Sequence, residues 1–153
     1  MKSLVIITII FSFGIFSATA DLQSLLDPIL NDLITNANSL VNSAFDSWQT
    51  GLDNECARTA ADAFFNQTTI AFDRITVLQD NNQITGATNY ILSGIRWKSK
   101  QKYSQNMRDA RDVCTSDTSH DYSTCLRAGA VAQVQNTVNN YMKLLLVTKL
   151  STV

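Results

Sequence analysis

One proline, one histidine, one glutamate, five glycines and three cysteines among 153 residues leave little material for several classes of protein. The chain holds no glycine-rich phosphate loop and no Asp/Glu metal box, since Glu55 is its only glutamate. One histidine and three scattered cysteines do not form a zinc ligand set, so neither a metal nor another cofactor is expected. His120 has no flagged nucleophile beside it, and the residues carry no hydrolytic triad; the chain is not expected to be an enzyme. Runs of β-branched residues alternating with polar ones are missing, so strands are not expected either. Linkers, repeats and low-complexity tracts are also lacking, which leaves room for one domain.

What is present begins at the N-terminus. Met1-Lys2-Ser3 is followed by an apolar run from Leu4 to Phe16 and by Ser17-Ala18-Thr19-Ala20. A basic residue, a short apolar region and an Ala-x-Ala site are the pattern of a secretory signal peptide. The run is shorter than the ~20 residues of a spanning helix, so cleavage after Ala20 and a secreted chain without a membrane span are expected. Residues 1–20 are then the signal peptide, and 21–153 a single helical domain.

Acidic and basic residues are unevenly placed. Asp21–Gln83 carries nine acids and two bases, whereas Ile84–Val153 carries four acids and nine bases. Antiparallel helices from the two halves would attract one another. Nucleic-acid binding is not expected, because a binder would more often be basic overall.

Four amphipathic stretches follow. The first runs from Leu22 through Leu26, Leu30, Ala37, Val41 and Phe45 towards Trp48 and Leu52, with a start expected at Asp27-Pro28 and a stop at Gly51. The second spans Asp53 to Gln79, with Ala57, Ala61, Phe64, Thr68, Ala71 and Ile75 on one face; Asn66-Gln67-Thr68 is an N-glycosylation sequon opposite it. After the turn Asp80-Asn81-Asn82, a third helix is expected from Gly86 to Cys114 with Thr85 as its cap. The fourth runs from Asp121 to Lys149, with Val131, Val134, Val138, Tyr141 and Leu145 on one face and a bend at Gly129. The fold class expected is all-α, an antiparallel four-helix up-down bundle.

Between the last two helices, Cys114 and Cys125 flank ten polar residues and read as a disulfide-clasped turn. The same topology brings Cys56 to that end of the bundle, so a Cys56–Cys114 or Cys56–Cys125 bridge stays open. If 114 and 125 pair, Cys56 is left buried or available for a disulfide-linked dimer.

Cys114, Asp121-Tyr122, Cys125-Leu126 and Asn139-Asn140-Tyr141 together resemble insect secreted helical proteins of the tsetse EP type. The resemblance implies a small, secreted helical protein and transfers no functional residue.

The function expected from the residues is extracellular binding without catalysis. An interaction protein would anchor an unknown extracellular partner through aromatics such as Trp48, Trp97 and Tyr122. The alternative is a carrier of a small apolar or fatty-acid-like ligand, with the many alanines and threonines of the stripes leaving a cavity. For that ligand the candidate residues are Lys98, Lys102, Trp97 and Tyr103. At helical spacing both lysines extend the inward face of Ala87, Ile91 and Ile95, where they either snorkel outward or meet an anionic head at a cavity mouth.

Overall fold

Residues spaced three and four apart need a helix to share a side, and the chain takes that conformation over most of its length. The computed structural model describes residues 2–47, 53–116 and 121–153, with side chains from Asp21 onward apart from residues 53 and 54. Helix α1 is Lys2–Asp46, α2 is Asp53–Asp80 and α3 is Asn89–Ser116. Helix α4, Tyr122–Thr137, continues through a π-helical turn at Val138–Met142 into α5, Lys143–Lys149. The molecule is an all-α bundle. Trp48, Gly51 and His120 lie outside the described residues.

Helix α2 packs against α1 and α3, and α4 against α3 and α1. Residue numbers climb on one helix as they fall on its neighbour. Cys56 meets Ala44 and Arg74 meets Asp32; Lys100 meets Asp62 and Arg96 meets Thr69. Arg127 meets Asp46 and Lys143 meets Asp27 in the same sense. Three of these ion pairs join a base of the second half to an acid of the first, as the uneven charge suggested. Exposed pairs contribute only about 0–1 kcal/mol each, so their effect is on which helices adjoin more than on stability.

The core is continuous. Leu26, Leu30 and Val41 of α1, Phe64 and Ile75 of α2, Tyr103 and Met107 of α3, and Leu126, Val134 and Leu146 of the last helix are all buried. Phe64 and Tyr103 stack with ring centroids 4.8 Å apart, and the Tyr103 hydroxyl donates to the Ala130 carbonyl at 3.1 Å. One side chain thereby joins three helices.

Several expectations are corrected. Asp27-Pro28 does not begin α1; Pro28 lies inside it. Leu22 and Leu26 on one side of the proline, and Ile29 and Leu30 on the other, are all buried, and that packing holds the helix through the residue. Asp27 pairs with Lys143 at 2.8 Å instead of capping. The cap of α3 is Thr88, whose hydroxyl accepts the Ile91 amide, not Thr85.

Thr85 belongs to a short strand, β1 (Ile84–Thr85), paired antiparallel with β2 (Ser151–Thr152), where no strand was expected. The turn before it was legible: Asn82 takes a left-handed φ of 58° and the Gln83 amide donates to the Leu78 carbonyl, a Schellman-type stop. Gly86 has φ 122°, and a Cβ there would collide with the Lys149 carbonyl oxygen, so glycine is required where the strand pair passes α5.

On α3 the buried stripe is Leu92, Ile95, Ser99, Tyr103, Met107 and Cys114. Although their spacing continues that of Ala87, Ile91 and Ile95, Lys98 and Lys102 are exposed, the outward of the two placements left open for them. Ser99 carries the stripe across the gap because its hydroxyl is satisfied locally, donating to the Ile95 carbonyl at 2.8 Å.

Helix α4 is regular through Gly129, where a Cβ would meet that of Ala110 at 3.0 Å; the glycine marks close approach to α3. The irregularity comes later. The π turn inserts about one extra residue, so Met142 and Leu146 take the core positions expected of Tyr141 and Leu145.

Candidate functional site

Three cysteines, one clasp: Cys114 and Cys125 form the disulfide, with Cα atoms 5.7 Å apart, and tie the end of α3 to the start of α4. Asp121 caps α4, accepting the Thr124 amide and the hydroxyls of Ser123 and Thr124. The Ser123 hydroxyl first, then the Thr124 amide, hold its carboxyl below the ordinary carboxylate range. Cys56 is 7% exposed and its thiol donates to the Ala44 carbonyl at 3.7 Å. A bridge from Cys56 to a second chain would require that end of α2 to open.

The candidate ligand-contacting residues do not gather at a cavity mouth. Tyr103 is sealed in the core at 0% exposure, and burial pushes its hydroxyl far above the usual tyrosine range. Trp97, 52% exposed, lies on the outer face of α3, away from Tyr103 and the bundle axis. Tyr122 is half-buried against the core, and Asn66 is exposed on α2.

What the structure does bring together is an outer face shared by α2 and α3. Phe65 is its centre. The Trp97 ring meets Phe65 edge-on at 5.4 Å, Arg96 lies over the Phe65 ring at 4.5 Å, and the Lys100 ammonium sits 4.7 Å from Phe65 and 5.4 Å from Trp97. Arg96 also donates to the Thr69 hydroxyl at 2.9 Å. Lys100 reaches Asp62 at 3.1 Å, which closes this cluster on one side.

Beyond Lys100 the face opens into a groove of about 520 Å³. Its floor is Ala57, Ala61 and Met107, and its walls carry Arg58 and Asp62 from α2 with Lys100, Ser104, Arg108 and Arg111 from α3. The local cause is side-chain size. Alanines at positions 57 and 61 and a serine at 104 face one another where two helices dock, and small residues leave volume there. Four cations line the groove; Lys100 is paired with Asp62, and Arg111 lies 3.9 Å from Asp112. Chemically, the groove can hold an anion; it presents neither histidine nor cysteine.

Arg58, Arg108 and Arg111 escaped the sequence reading because binary patterning assigns every charged residue to solvent. The usable signal was the spacing Lys100, Ser104, Arg108, Arg111 along one side of α3, set opposite the small pair Ala57 and Ala61.

Among the described residues, no group of three His, Cys, Asp or Glu side chains comes together as a metal site, and no helix is long and apolar enough to cross a membrane. No family model, curated protein or solved structure matches the chain.

Proposed function

We propose that the chain is a secreted, non-enzymatic binding protein: a signal peptide at 1–20, a single antiparallel up-and-down four-helix domain at 21–153, and the outer face of α2 and α3 as its working surface. One observation carries this reading. Large side chains including Leu30, Phe64, Tyr103, Val134 and Met142 fill the axis, while aromatic and basic residues not used in packing collect on that face. The paired contacts with opposite numbering support the up-and-down order. The N-terminal pattern supports secretion, and the resemblance of residues 114–141 to the tsetse EP type accords with it. Exposure of Asn66 supports use of its sequon on a secreted chain.

The test works with a ligand whose identity is unknown. Isotope-labelled mature protein is compared in buffer and in unlabelled fluid from the secreting tissue by amide chemical-shift mapping. Shifts confined to residues 57–65 and 96–111 are the expected result. Shifts centred on Leu30, Tyr103 and Val134 would replace it with a carrier that opens its core, and an unchanged spectrum would remove the surface altogether.

A further inference from the structure

We propose that the α2–α3 groove binds a small molecule bearing two or more phosphate or sulfate groups, a ligand class that rests on the reading of this face as the working surface. The groove's charge is the starting point. Arg58, Lys100, Arg108 and Arg111 line it; Lys100 engages Asp62 at 3.1 Å, and Arg111 lies 3.9 Å from Asp112 on its own helix. Among the described residues neither Arg58 nor Arg108 has a carboxylate or hydrogen-bond partner. Like charges held around one groove repel one another, and an anion between them relieves that repulsion.

Three features narrow the ligand. A fatty acid brings one negative charge and a long tail, and one carboxylate leaves one of the two unpaired arginines, Arg58 and Arg108, without a counter-charge. Guanidinium groups present forked donors that fit the oxygens of phosphate and sulfate two at a time, and three of the four cations are arginines. The volume, about 520 Å³, lies within the roughly 300–1,000 Å³ of small-molecule sites. An apolar floor of Ala57, Ala61 and Met107 accepts the uncharged body of such a molecule, while arginines from both helices take its esters.

The probes are inorganic pyrophosphate and a trisulfated heparin disaccharide, each titrated calorimetrically into the mature protein at low and at physiological salt. Saturable one-to-one binding by either is expected, and the tighter probe identifies the ester. Arg58→Gln with Arg108→Gln is expected to weaken binding by about tenfold or more, since each removes a charge-assisted hydrogen bond. Lys98→Gln with Lys102→Gln removes the same charge from exposed positions of α3 outside the groove, and should change binding by about twofold or less. All four positions are exposed, so both variants should melt with the wild type. Equal weakening by the two pairs would overturn the proposal in favour of a diffuse field. Failure of both probes to saturate would overturn this ligand class while shift mapping in fluid still judged the surface itself.

Discussion

Tyr103 shows how much a single side chain can organise. Its ring stacks on Phe64 of α2 and its hydroxyl reaches Ala130 of α4, so removing the oxygen severs α3 from α4 at one point without opening a cavity. Tyr103→Phe should therefore cost about 1 kcal/mol in denaturant unfolding, with Ala130 keeping its own helical bond. The pH dependence gives a second readout. Burial raises the folded-state pKa of the hydroxyl above its ordinary value of 10.0, so stability is fully present below that pH and is lost as pH climbs beyond it. The phenylalanine variant should lose less stability than wild type over the same alkaline range. Asp121 behaves in the opposite sense. Its pKa is lowered by the hydrogen bonds it accepts, so its contribution exists above the ordinary carboxylate range and fades on acidification. Asp121→Ala should melt below wild type at neutral pH and converge with it in acid.

Among the elements, the clasp between α3 and α4 is the one best suited to a direct measurement. Closing the loop from Cys114 to Cys125 should contribute about 3 kcal/mol in the chain-entropy account. Replacing both cysteines by serine should lower the melting temperature by about 10 °C in a domain of this size, with helical circular dichroism retained. The clasp was legible because two cysteines bracket a polar stretch between amphipathic runs. The helices were legible because their apolar residues recur every three or four positions. Two-residue strands leave no period to detect, and β1 and β2 went unread. Thr88 and Thr85 are both plausible caps by chemistry; only the route of the chain past α5 decides between them. The groove was hidden for a related reason. Arg58 and Arg108 are far apart in sequence, and only the docking of α2 on α3 makes them neighbours.

At the scale of the molecule, acids gathered early and bases gathered late become pairs across helix interfaces, and secretion becomes a question of mass. The purified extracellular protein should begin at Asp21, with glycosidase treatment removing one glycan from the sequon at Asn66. Intact mass spectrometry reads both: a protein retaining residues 1–20 would contradict cleavage, and a mass unchanged by the enzyme would show Asn66 bare. The π turn at Val138–Met142 has a consequence for how this chain tolerates changes of length. Losing one residue from a helix ordinarily rotates everything after it by about 100° and pulls a whole stripe out of register. Here the buried apolar residues of the last helix and its end, Leu126, Ala130, Val134, Val138, Met142, Leu146 and Leu150, recur every fourth position, and the wide turn absorbs the excess over the α-helical period. Deleting the exposed Asn140 lets the turn tighten into ordinary helix while Leu146 and Leu150 keep their places and Lys143 its partner Asp27. That deletion should yield a folded bundle with a melting temperature close to wild type. The same deletion at Gln133, in regular helix, turns Val134 and Val138 off the core before the wide turn is reached and should lower the melting temperature far more. This chain therefore sheds a residue more easily at one position in its last helix than two turns earlier.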